Sequence, residues 1–182
     1  MKKYLPVYTY GFLILVSGVF LLISKTISYD TLQFRLGFSL SLASLFAFFA
    51  AFSRQRKQIQ FAYHELHALA MLGYGVSILF FCHSFEEIKY FSSFLFIFYA
   101  FSEIIFCNWL FNLGRKVLYS IVIVRFLLGL LIGIGTVVAM YQEEHSLQIF
   151  GVLFLMVGLN VLLYVPVMKK VQVEEASTQL PS

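Results

Sequence analysis

Six stretches of this chain are apolar for long enough to cross a bilayer, at about 7–24, 32–52, 61–82, 90–112, 117–140 and 147–168. A hydrocarbon layer about 30 Å thick takes about 20 such residues as a helix, the one single-segment structure that satisfies every backbone N–H and C=O internally. The connections are short, and only 12% of the 182 residues are charged against 60% apolar, about half the charged share of a soluble domain. The expected fold class is therefore an all-α integral membrane protein of six transmembrane helices spanning residues 1–170. Residues 171–182 form a short polar tail, expected to be disordered, and no stretch is left to build a soluble catalytic core. The first apolar run follows "MKK", but "LLISKTISYD" after it offers no small-x-small cleavage site, so it counts as the first span.

Basic residues near span ends resist translocation and so orient the chain. In a six-span arrangement Lys2, Lys3, Arg54, Arg56, Lys57, Arg115, Lys116, Lys169 and Lys170 fall on one side. Lys25, Arg35 and Lys89 fall on the other, together with Asp30, Glu86, Glu87, Glu143 and Glu144. Both termini are expected in the cytoplasm. The net charge of +4 then follows from orientation, and no nucleic acid is needed to explain it. The partners expected are the lipid bilayer itself, its anionic headgroups included, and a second copy or another membrane protein. Cys82 and Cys107 lie at different depths and are expected to stay unpaired as small buried apolar groups.

The spans group into three out-and-back hairpins, about 7–52, 61–112 and 117–168, each with a polar turn on the outer side. "GFSLSLASLFAFF" from Gly37 lies over "GVLFLMVGLNVLL" from Gly151, pairing Gly37 with Gly151 and Ser44 with Gly158. In the same frame "FLFIFYAFSEIIF" from Phe94 puts Glu103 opposite Asn160 and Phe46, with Phe101 where the other two hairpins have a small residue. The first helix of each hairpin carries small residues near its middle: Gly18, then Gly73 and Gly75, then Gly129, Gly133 and Gly135. "GLLIG", from Gly129 to Gly133, has the small-xxx-small spacing that lets helix backbones approach within lipid. Gly129, Gly133, Gly151 and Gly158 are accordingly read as helix-packing positions; glycines that let a span hinge around a substrate remain the alternative.

With its three two-helix repeats and the "GLNVL" pattern at Gly158–Leu162, the chain resembles the HdeD-like family of small bacterial inner-membrane proteins. The resemblance extends over residues 11 to 170. It implies a multi-pass protein of the bacterial inner (cytoplasmic) membrane linked to stress, by family name acid resistance, with no catalytic residues to carry over.

One carboxylate interrupts the fourth span: Glu103, in "YAFSEIIFCNW", with no charged neighbour from 91 to 112. A lone charge at the bilayer centre costs about 2.5–3.5 kcal/mol on the insertion scale. The one basic residue deep in a span is Arg125, in "SIVIVRFLLG". Glu103 lies eleven residues before Gly114 and Arg125 eleven after it, which places both about 16 Å from that turn on antiparallel neighbours. They are expected to meet as a buried ion pair that sets the register of two helices. The alternative is a proton or cation site, to which Asn160, at similar depth in span six, would add a third polar group. The second polar cluster is His64, Glu65 and His67 in "FAYHELHAL". The two histidines share a helix face, but their spacing of three is not that of the zinc-protease helix, and no metal or other cofactor is expected. A pH-responsive cluster and side chains reaching to the membrane interface are the two readings left. Serines such as Ser17, Ser44 and Ser102 lie in spans with no histidine expected at matching depth, so no nucleophile is assembled. The expected function is non-enzymatic, with a small proton or solute transporter as the alternative.

Overall fold

The computed structural model describes residues 4–53, 63–112, 119–142 and 144–170, as six long helices without any strand among them. They are α1 (Leu5–Leu22), α2 (Tyr29–Ser53), α3 (Tyr63–Phe80), α4 (Phe85–Asn112), α5 (Tyr119–Tyr141) and α6 (Ser146–Leu162). Beyond a turn at Leu163 the chain is helical again over 164–170. Of the residues read above for orientation, Lys2, Lys3, Arg54, Arg56, Lys57, Arg115, Lys116 and Glu143 lie outside the described residues, as does the tail 171–182. Among the described residues, five helices are long and apolar enough to cross a membrane: Leu5–Leu22, Tyr29–Phe52, Phe85–Asn112, Tyr119–Tyr141 and Ser146–Lys170. The exception is α3, as long as α1 but with His64, Glu65 and His67 in its first five residues, which shortens its apolar part.

α2 and α4 begin well before their apolar runs do, at Tyr29 and Phe85, and local capping explains why. The Ser28 hydroxyl accepts from the Thr31 N–H at 3.4 Å at the head of α2. At the head of α4 the Ser84 hydroxyl accepts from the Glu87 N–H at 3.3 Å, while the Glu87 carboxylate accepts from the His83 N–H. These are the reciprocal bonds that satisfy free N–H groups in a first helical turn, where carboxylates are also favoured by the helix dipole.

The connections after α1, α3 and α5 gather at one end of the bundle. Lys25, after α1, lies 3.9 Å from Glu144, before α6. Gln33 of α2 donates to the carbonyls of Ile78 and Cys82 at 2.9 and 2.8 Å, closing the C-terminal end of α3. Neighbours in sequence are thus antiparallel. The outward side is apolar: Phe12, Phe52, Phe94, Leu131 and Tyr141 are all exposed. Such a surface fits a multi-pass membrane protein.

Close approach runs between hairpins. A Cβ on Gly18 of α1 would stand 2.8 Å from the Gly151 carbonyl of α6, and one on Gly151 would stand 2.9 Å from the Gly18 carbonyl. Gly11 and Gly158 repeat the arrangement one heptad along, with Gly158 at 3.0 Å from the Gly11 carbonyl. Gly37 and Gly75 do the same between α2 and α3, at 3.0 and 2.9 Å from each other's carbonyls. Between α4 and α5 the match is less intimate, with Gly133 against the Ala100 Cβ at 3.6 Å. On α4 it is Ala100, not Phe101, that takes the small-residue place at this contact. Phe101 is 65% exposed and points away from the bundle, whereas Ala100 is buried, because one residue turns the helix by about 100°.

Candidate functional site: a buried layer around Glu103 and Arg125

Helix periodicity puts Tyr99, Glu103 and Cys107, each four residues apart, on one face of α4, and all three are buried. From the opposite helix α5 buries one narrow stripe, Val122, Arg125, Gly129, Ile132, Thr136 and Ala139. A Cβ on Gly129, one turn beyond Arg125, would meet Glu103 Cγ at 3.2 Å. The glycine thus makes room for the stem of the glutamate.

Arg125 and Glu103, both 0% exposed, meet through two parallel bonds. Arg125 Nε donates to Oε1 at 2.8 Å and Nη2 donates to Oε2 at 2.9 Å. Side-on pairing of this kind is the strongest a guanidinium makes with a carboxylate. The remaining donors reach other helices: Nη1 donates to the Asn160 carbonyl of α6 at 2.8 Å, and Nη2 to the Tyr63 hydroxyl of α3 at 2.6 Å. Tyr63 in turn donates to Glu103 Oε2 at 2.9 Å, and Cys107 Sγ approaches Oε1 at 3.6 Å. The guanidinium carbon also lies 5.4 Å from the Tyr63 ring centre and 5.1 Å from that of Phe106, two rings packed against each other on one side of it, within cation–π range. One arginine therefore ties α5 to α3, α4 and α6.

Asn160 joins the layer differently from the expectation. Its backbone carbonyl, not its side chain, meets Arg125; Nδ2 donates to the Tyr99 hydroxyl at 3.0 Å. Oδ1 is buried without a hydrogen-bond partner among the described residues.

The histidines do not reach toward an interface. His64 and His67 are 2% and 3% exposed, because α3 turns that face into the bundle. His64 Nδ1 shares a 2.7 Å hydrogen bond with the Tyr10 hydroxyl of α1, and its ring lies edge-on to Tyr164. His67 packs on the rings of Tyr63 and Tyr99. Glu65, facing elsewhere on α3, is only half-buried. No group of three histidine, cysteine, aspartate or glutamate side chains among the described residues could hold a metal. Cys82 and Cys107 are both free thiols and both buried.

One expectation about serines needs correcting: His67 does lie level with Ser102, with Nε2 3.5 Å from its hydroxyl. That separation exceeds the 2.6–3.2 Å of an activated nucleophile. The Ser102 proton is committed to the Tyr99 carbonyl at 2.9 Å, the usual back-bond of a serine within a helix. Tyr10, Tyr63, Tyr99, Phe106, Cys107 and Tyr164 were not anticipated in the layer. The three- and four-residue spacings of Tyr99, Phe106 and Cys107 about Glu103 were readable signals; nothing local announced Tyr10, Tyr63 and Tyr164.

No family model, curated protein or solved structure matches this chain.

Proposed function

We propose that this chain is a non-enzymatic six-span membrane protein, with three hairpins as repeats closed into a ring and both termini cytoplasmic. In this reading Glu103, Arg125 and Asn160 form a permanent clasp of the bundle. The observation that carries it is the saturation of Glu103: both oxygens are held by Arg125, Tyr63 adds a further donor, and no part of the side chain is exposed. A proton carrier must alternate between bound and released states with access to water, and a carboxylate locked this way has neither. Small-residue contacts at α2–α3, α4–α5 and α6–α1 support the ring. The protein then acts through contacts within the membrane, and the resemblance to HdeD-like proteins suggests a stress or acid-resistance setting in a bacterial inner membrane.

Transport is the second reading, favoured by the unpartnered Asn160 Oδ1. The two separate in proteoliposomes under a pH gradient. Proton entry at the rate of empty vesicles is expected. Flux above that background, lost in Glu103→Gln, would make the layer a conduction site. Orientation is checked by reporters fused after residue 170 and inserted in the turn at 142–145, which should label opposite sides; labelling on the same side would refute the six-span arrangement.

A further inference from the structure

Arg125 draws one of its acceptors from the main chain of a helix. A continuous α-helix commits each carbonyl to the N–H four residues on, yet the Asn160 carbonyl of α6 accepts from Arg125 Nη1 at 2.8 Å. α6 is not continuous there. The Leu163 N–H closes on the Leu159 carbonyl at 3.0 Å, and at Leu163 the helix gives way to a turn before the chain is helical again over 164–170. The ψ of Leu163 is −13°, against about −42° in a regular helix, which tips the peptides beyond it off the line of α6. With α6 ending at Leu162, Asn160 falls in the last turn, where carbonyls lack intrahelical partners.

The sequence contains the cause. Pro166 has no N–H to offer the Leu162 carbonyl, and in an unbroken helix its ring would clash with that carbonyl. Proline is tolerated in the first turn of a helix. With the helix resuming at Tyr164, that is where Pro166 stands.

The break falls level with the buried charge. Carbonyls of a last turn form the negative end of the helix dipole and favour a cation, and interrupted membrane helices hold ions at their ends for the same reason. Arg125 turns Nε and Nη2 to Glu103 and Nη1 to this end of α6. The resumed helix also brings the Tyr164 ring onto that of Tyr63, 5.3 Å away and 9° from parallel. Tyr63 is the residue whose hydroxyl accepts from Arg125 Nη2.

We propose that the interruption of α6 is the second half of the Arg125 site, a cation site at a helix end that the chain fills with its own guanidinium. Pro166 is its positioning residue: by ending α6 at Leu162 it leaves the Asn160 carbonyl for Arg125. This deepens the clasp described above and rests on it.

Two measurements test the assignment. Protein carrying 13C at asparagine backbone carbonyls and 15N in arginine guanidinium groups, reconstituted in phospholipid vesicles, should show a carbon–nitrogen dipolar contact by solid-state NMR. The contact should vanish in Arg125→Gln, which identifies it, and be lost in Pro166→Ala. In detergent, Pro166→Ala should shift the unfolding equilibrium about tenfold more unfavourably in the parent than in Glu103→Gln with Arg125→Gln, a coupling within the range for residues of one network. In that second background no guanidinium needs the carbonyl. Persistence of the contact in Pro166→Ala, or an equal effect of that change in both backgrounds, overturns the assignment and leaves Pro166 as a bend alone. Failure of Pro166→Ala to fold in both backgrounds has the same meaning, whereas failure in the parent alone supports the assignment. Absence of coupling between Glu103 and Arg125 themselves, in the same unfolding series, refutes the clasp instead.

Discussion

Glu103→Gln is expected to destabilise the protein by about 3–5 kcal/mol, the cost of leaving one member of a buried ion pair without the other. Arg125 would keep the Asn160 carbonyl, the Tyr63 hydroxyl and one amide oxygen as neutral acceptors but lose its counter-charge and face an NH2 donor in place of one oxygen, and a guanidinium does not give up its proton. Arg125→Gln should cost less. Glu103 would keep Tyr63 as a donor, with Tyr99 and Cys107 at 3.4 and 3.6 Å, and a stranded carboxylate can also escape its charge by taking up a proton. Combining Glu103→Gln with Arg125→Gln removes both charges and leaves two amides able to bond each other and Tyr63, so much of the loss should return. The measurement is a double-mutant cycle on unfolding of the detergent-solubilised protein. A sum of independent losses would mean that the pair does not hold the bundle together. The order of the two single losses is a separate check, since it depends on the donors around Glu103 and not on the pair alone.

Gly151→Leu should cost about 3 kcal/mol, at the upper end of the range for forcing volume into a packed interior. A Cβ at 151 would lie 2.9 Å from the Gly18 carbonyl and from the backbone nitrogen of Leu22. Backbone cannot move aside as a side chain can, so α1 and α6 would have to separate along the contact that also includes Gly11 and Gly158. The identical substitution at Gly73, inside α3 where a Cβ meets nothing, should cost nothing and is expected to stabilise by up to about 1 kcal/mol through helix propensity. Unfolding of the two variants side by side in the same detergent checks this. Equal losses would show that glycine content, rather than interhelical approach, is what the substitutions disturb.

The apolar helices were legible in the residues because a bilayer admits few backbone solutions, so length and composition alone identify candidate spans. Glu103 and Arg125 could be brought to one depth by counting from Gly114, since rise per residue is constant in any helix. Counting along an axis says nothing about rotation around it, and rotation decided the rest. It turned Phe101 outward and Ala100 inward, against the alignment of the hairpins. It buried His64 and His67 against Tyr10, Tyr63 and Tyr99 rather than leaving them at an interface. It presented the backbone of Asn160, and not its amide, to Arg125. The helix starts at Tyr29 and Phe85 depended on caps from Ser28 and Ser84, which polarity obscured by marking those turns as loops. Which helices approach most closely was likewise a tertiary matter. Small residues at Gly18, Gly37, Gly75 and Gly151 mark faces that can come within backbone contact, but only the closed arrangement of six helices pairs α1 with α6 and α2 with α3, because each of those faces needs a partner of matching shape at the same height.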